Sequence, residues 1–198
     1  MTLDRFYPIF DSSDWLERAL PRGVKLVQLR IKDVAADVLR DELVRGIALA
    51  REHGATLVVN DHWQLAIELG AEWVHLGQED LDDADVQAIK RAGLKLGLST
   101  HDDDELERAL AQAPDYVALG PIYPTILKKM KWEQQGLEKL SQWRKRIGNL
   151  PLVAIGGFSV ERAAGAFEHG ADVVSAVTDI TLNANPEARI DAWMEATR

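Results

Sequence analysis

The stretch "EHGATLVVNDHWQLAIELGAEWVHLGQED" (residues 52–80) carries the pattern that decides the fold. The same order of signals occurs in it twice: a helix end closed by Gly-Ala, a short apolar run, then strong polar side chains. Gly54 and Gly70 suit the left-handed position that ends a helix. "TLVV" (56–59) and "WVHL" (73–76) have the length of strands. Asn60-Asp61 follows the first run and Gln78-Glu79-Asp80 the second, with the helical spacing of "QLAIELG" between them. "EHGADVVS" (168–175) repeats the motif, with Gly170 at the turn. His53 and His169 fall in last helical turns, where a donor or cation suits the dipole, and read as caps.

Working outward, similar runs recur along the whole chain: "FYPIF" (6–10), "KLVQLRI" (25–31), "KLGL" (95–98), "YVALG" (116–120), "LPLVAIGG" (150–157) and "ADVVSAV" (171–177). Helical patterns lie between them, such as "DVLRDELVRGIALAREHG", "DADVQAIKRAG", "DDELERALAQA" and "GLEKLSQWRKRIG", and "PEARIDAWMEATR" follows the last run. Strands alternating with helices imply right-handed crossovers and a parallel sheet. Eight strands of this kind fit a closed (β/α)8 TIM barrel, expected as one domain over residues 1–198. The fold typically takes ~250 residues. Loops must therefore be short, and no extra N-terminal helix is expected.

Composition narrows the function. The chain is 46% hydrophobic and 28% charged, an ordinary globular balance. It has no cysteine, which excludes disulfides, thiolate nucleophiles and zinc–sulfur sites. A net charge of −9 argues against a nucleic-acid surface. No apolar run reaches the ~20 residues of a membrane span, and "MTLDRFYPIF" has no signal-peptide pattern. A cytoplasmic location is expected. Any anionic substrate would need a local cluster of cations or a metal, and a homodimer is left open.

The polar clusters all follow the C-terminal ends of the runs, the barrel face that carries active sites. In "LVQLRIK" the strand period puts Gln28, Arg30 and Lys32 on one face, lining the mouth over ~13 Å. Arg30 offers a bidentate fork for phosphate and Lys32 a point charge. Asp61 and Asp80 end adjacent strands, so their carboxylates can meet. Such a pair suits a hard cation such as Mg2+, which takes one or two carboxylates plus phosphates and water; two independent helix caps are the other reading of the same spacing. "GPIYPT" (120–125) is a rigid turn, and the basic stretch at 128–136 reads as a lid or as a solvated loop. Gly156-Gly157 lets backbone N–H groups approach a phosphate. The acidic run Asp102–Glu105 reads as a helix start. His75 reads as a satisfied core histidine, and a Ser99–His101 nucleophile pair is disfavoured because "GLSTH" is no nucleophile elbow.

At these residues the chain resembles the thiamine phosphate synthase family. The motifs are "VQLRIKD" (27–33), "VVND" (58–61), "VHLGQEDL" (74–81), "LGLSTHDDDEL" (96–106), "DYVALGPIYPT" (115–125) and "VAIGG" (153–157). The resemblance implies a (β/α)8 barrel. It also implies joining 4-amino-5-hydroxymethyl-2-methylpyrimidine diphosphate to a thiazole phosphate, with release of pyrophosphate. Carried over motif by motif, Gln28, Arg30, Lys32, Asn60 and Lys128 hold the pyrimidine diphosphate, and Ser99 lies against the pyrimidine. Asp61 and Asp80 hold Mg2+. Thr125, Gly157, Val177 and Thr178 bind the thiazole phosphate.

Three residues depart from the family pattern near the thiazole phosphate. Leu127 stands where a second Thr is usual, Thr178 replaces a common Ser, and Asp179 follows where a small residue is usual. A carboxylate at 179 is expected to repel the phosphate, unless it points away as a helix cap. The thiazole tautomerase branch is a rival. It typically carries His where Pro121 stands and tends to lose the metal carboxylates. A non-catalytic binder of thiamine intermediates is a second rival.

Overall fold

The computed structural model of the protein describes residues 3–125 and 133–198. Eight parallel strands close a barrel in chain order: β1 (Phe6–Phe10), β2 (Leu26–Leu29), β3 (Thr56–Asn60), β4 (Trp73–Leu76), β5 (Lys95–Thr100), β6 (Tyr116–Leu119), β7 (Leu152–Ala154) and β8 (Val173–Ala176). The outer ring is formed by α1 (Asp14–Ala19), α2 (Ala36–Glu52), α3 (Trp63–Glu68), α4 (Gln78–Asp83), α5 (Val86–Arg91), α6 (Asp103–Ala111), α7 (Leu137–Ile147), α8 (Ala163–Glu168), α9 (Thr178–Thr181) and α10 (Pro186–Ala196). No helix among the described residues is long and apolar enough to cross a membrane.

The repeat at Gly54, Gly70 and Gly170 behaves as its sequence requires. Each glycine has positive φ, at 58°, 67° and 93°, and turns a helix end into the next strand. His53 and His169 close α2 and α8, and His169 Nδ1 lies 2.8 Å from the Gly165 carbonyl.

Three elements differ from the sequence reading. The helix expected over "DADVQAIKRAG" is preceded by a separate one, α4, and the chain is extended at Ala84 between them. Asp85 then caps α5 by accepting from the Ala88 N–H at 2.8 Å. The Gln78-Glu79-Asp80 cluster therefore lies in a helical first turn. Second, β2 stops at Leu29, so Arg30 and Lys32 stand beyond the strand, in the segment that follows it. The Arg30 N–H still pairs with the Phe10 carbonyl at 2.8 Å, which fixes the loop's departure. Third, the short helix α9 follows β8 directly.

Packing has two layers. Outside the sheet, α2 buries Leu43, Gly46, Ile47 and Ala50, a helical stripe. A Cβ on Gly46 would come within 2.4 Å of Leu29, so the glycine lets α2 lie close to β2. Trp143 of α7 is fully buried, and its Nε1–H donates to Thr100 Oγ1 at 2.9 Å. Inside the barrel, Tyr7, Leu26, Val58, Trp73, Tyr116, Ala118, Val153 and Val173 fill the lower interior. Tyr116 fits there because it lies flat against Gly97: a Cβ on Gly97 would sit 2.0 Å from the Tyr116 ring. Overpacking of this kind costs about 1–3 kcal/mol or more. Gly97→Ala is therefore expected to lower the melting temperature by several degrees; a melt unchanged from wild type would show that the ring does not rest on Gly97.

Candidate functional site

Alternation along the strands aims one residue in two into the barrel. Near the C-terminal rim those inward residues are polar: Gln28, Asn60, His75 and Ser99. Asn60 and His75 are register partners on β3 and β4, and both are buried.

Above them sits a charged group. Asp61 follows β3 with φ of 62°, a left-handed conformation that Asp tolerates better than most residues. This turn is held by the Asp61 N–H donating to the His75 carbonyl at 2.9 Å. The Asp61 carboxylate pairs with Lys32 Nζ at 2.8 Å. Asp80, in the first turn of α4, accepts from the Gly77 N–H at 3.2 Å. Burial raises the Asp80 carboxyl above its ordinary range; the Asp61 charge and a hydrogen bond with the Asp61 carboxyl push it the same way. The two carboxyls therefore meet at the rim, with Lys32 as the cation paired to Asp61. Among the described residues no cluster of three or more His, Cys, Asp or Glu forms a ready-made metal cage. Two carboxylates alone fit a cation that draws its remaining oxygens from substrate and water.

Below this group runs a continuous hydrogen-bond chain. Gln28 Nε2 donates to the Tyr7 hydroxyl at 2.8 Å. The Tyr7 and Tyr116 hydroxyls are 3.0 Å apart. Tyr116 Oη lies 2.7 Å from His75 Nδ1, and His75 Nε2 lies 2.8 Å from Ser99 Oγ. The His75 ring stacks on Tyr116 with centroids 5.5 Å apart. Burial lowers the His75 imidazole to about 4, against a smaller upward pull from Asp61, so the ring is neutral at pH 7. Its folded value lies below the unfolded ~6.5, so this neutral ring adds stability above pH 6.5 that is lost as pH falls toward 4. Burial pushes both phenols up, and they stay protonated.

The opposite arc of the rim carries Thr125, Gly157, Val177 and Thr178, after β6, β7 and β8. Gly156 and Gly157 have φ of 96° and 68°. A Cβ on either would strike the strand-6 loop, at Pro121 Cα 2.6 Å away or the Pro124 carbonyl 2.4 Å away. The glycine pair is thus required first by loop packing, which the sequence reading missed. Thr178 opens α9 with Val177 as its N-cap residue. Lys128 and Leu127 lie outside the described residues.

Asp179 corrects an expectation. Its carboxylate accepts from Arg189 Nε at 2.7 Å, Arg189 Nη2 at 2.9 Å and Trp193 Nε1 at 2.8 Å. It anchors α10 through Arg189, a guanidinium shared with Glu161, and through Trp193. The carboxylate is thus engaged in structural bonds with α10, which weighs against its standing free to repel a bound phosphate.

Residues 6–180 match the model of the thiamine monophosphate synthase family. The thiamine-phosphate synthase of Rhizobium etli is 60% identical over 197 residues, covering 100% of this chain and 97% of that one. The chain belongs to the thiamine monophosphate synthase family. The thiamine-phosphate synthase of Citrobacter koseri is 47% identical across 96% of this chain and 87% of its own length. Among solved structures, the thiamine phosphate pyrophosphorylase of Pyrococcus furiosus shares the fold, with a TM-score of 0.86 at 24% identity over 98% of this chain and 95% of that one. Enzymes so named are transferases.

Within this family barrel, the sequence reading did not single out Tyr7, Tyr116 or Gly97. The available signal was strand parity: Tyr7 and Tyr116 fall on the same inward phase as Gln28, His75 and Ser99.

Removing the Asp179 carboxylate should loosen α10 rather than open a pocket. Asp179→Ala strips a charge-assisted acceptor from Arg189 and Trp193, each bond worth about 1.5–3 kcal/mol at most. The expected result is a lower melting temperature with no gain in affinity for thiazole phosphate. A tighter-binding variant of unchanged stability would restore the repulsion account.

Proposed function

We propose that this thiamine monophosphate synthase family member joins 4-amino-5-hydroxymethyl-2-methylpyrimidine diphosphate to a thiazole phosphate, releasing pyrophosphate, with Mg2+ held by Asp61 and Asp80. The observation that carries this reading is the rim group of Lys32, Asp61 and Asp80, in which Asp61 pairs with Lys32 at 2.8 Å and the Asp80 carboxyl, hydrogen-bonded to that of Asp61, is raised by burial and by the Asp61 charge. A divalent cation held by these carboxylates would supply charge neutralisation to a departing diphosphate.

The chain's own residues account for the rest. Breaking the C–O bond leaves a cation that the aminopyrimidine can stabilise, so little acid–base chemistry is required. Charge develops on the leaving group, and Arg30, Lys32 and Lys128 are the cations available to it. Lys32, beside Asp61 at the rim, is placed to meet the diphosphate. Asn60 and Ser99 hold the pyrimidine at the mouth. Thr125, Gly157, Val177 and Thr178 hold the thiazole phosphate across the rim, so that its ring nitrogen stands close to the reacting carbon and proximity supplies much of the rate. The Asp61–Asp80 pair also weighs against a tautomerase, in which these carboxylates tend to be lost.

The test is turnover of both precursors by purified protein. Product is expected with Mg2+ and none with excess EDTA. Asp61→Asn keeps a residue suited to the left-handed turn, and both Asp61→Asn and Asp80→Asn should cut kcat about a hundredfold or more with the fold retained. Arg30→Ala should raise KM for the pyrimidine diphosphate about ten- to a hundredfold and leave that for thiazole phosphate unchanged. Full activity in EDTA would refute the metal assignment.

A further inference from the structure

We propose that Tyr7, Tyr116 and His75 are positioning residues that orient the Ser99 hydroxyl as a hydrogen-bond donor toward a ring nitrogen of the pyrimidine. The proposal rests on the functional reading above and extends it to side chains that do not themselves face the substrate.

The polarity follows from counting protons. The Gln28 amide N–H is a donor only, so the Tyr7 oxygen accepts from it. Tyr7 has one proton, and its other partner is Tyr116, 3.0 Å away, so Tyr7 donates to Tyr116. The Tyr116 proton is left for His75 Nδ1, 2.7 Å away. A neutral imidazole with an accepting Nδ1 carries its proton on Nε2, and that proton goes to Ser99 Oγ at 2.8 Å. Ser99 therefore accepts from below, and its own proton is available at the mouth. The reverse order would leave the Tyr7 oxygen accepting from both Gln28 and Tyr116, with no partner in the chain for its own proton. Aligned donors and acceptors also strengthen one another in a low-dielectric interior.

The chemistry of the ligand follows. A hydroxyl presented as donor selects an acceptor, such as a pyrimidine ring nitrogen, and disfavours the exocyclic amine, which is itself a donor. The geometry is built for this purpose at some cost: Gly97 must lack a side chain for Tyr116 to reach His75, and Ser99 is half-buried beside a fully packed imidazole.

The experiment is a double-mutant cycle on turnover, with thermal melts run on every variant. Tyr116→Phe keeps the ring and removes the proton that enforces the His75 tautomer. It is expected to raise KM for the pyrimidine diphosphate about tenfold, leaving KM for thiazole phosphate unchanged. In a Ser99→Ala background the same Tyr116→Phe change should have no further effect, because there is no hydroxyl left to orient. His75→Gln, whose amide can still donate near the Nε2 position, should retain more activity than His75→Leu. If the Tyr116→Phe losses multiply undiminished in the Ser99→Ala background, or fall equally on both substrates, the phenol is merely structural and the proposal fails. A wild-type protein that turns over neither precursor overturns the functional reading and the assigned ligand together, an outcome distinct from the additive cycle.

Discussion

A hydrogen bond between two phenols, Tyr7 and Tyr116 at 3.0 Å, spans the barrel interior from β1 to β6. Much else depends on it. An eight-stranded barrel has room for side chains only, so a polar atom placed there must find a protein partner or leave a costly orphan. The bond satisfies both hydroxyls, links Gln28 on one side to His75 on the other, and ties distant strands together below the mouth. It is possible only because Gly97 gives the Tyr116 ring a surface to lie on.

Two electrostatic environments result, one above the other. The lower one is neutral: buried phenols held protonated, an imidazole kept uncharged by desolvation, and an amide at the start of the chain. The upper one is charged and more open, with Lys32, Asp61 and Asp80 at the strand ends. They meet at Asp61, whose backbone N–H bonds to the His75 carbonyl while its carboxylate faces the rim. A substrate with an aromatic ring and a diphosphate matches that division, ring against the neutral chain and phosphates against the charged rim.

The fold was legible in the sequence because its signals are local. Gly54, Gly70 and Gly170 mark helix ends through their backbone conformation alone, and apolar runs of four or five residues specify strands without reference to neighbours. The inward phase of Gln28 and the adjacency of Asp61 and Asp80 were legible for the same reason, whereas Asn60 and Ser99, read as following their strands, lie within them. What was not legible depends on contacts between distant segments. Arg30 and Lys32 continue the alternation of β2 in the sequence, but the strand itself ends at Leu29, and it takes the folded rim to bring Lys32 against Asp61. Asp179 reads as an exposed negative charge until Arg189 and Trp193, ten and fourteen residues on, are folded onto it. Gly156 and Gly157 suggest phosphate binding, and only the packed strand-6 loop shows that a side chain at either has no space.

The direction of the buried chain is the claim on which the account of the lower site stands, and the His75 ring reports it directly. Nitrogen-15 NMR of the histidine side chains in the ligand-free protein distinguishes a protonated ring nitrogen from a bare one. The chain requires the His75 proton on Nε2 and a bare, hydrogen-bonded Nδ1, unchanged from pH 8 down to about 5 because burial holds the ring near 4. A proton found on Nδ1, or a ring that becomes imidazolium with a midpoint near the ordinary ~6.5, would contradict it.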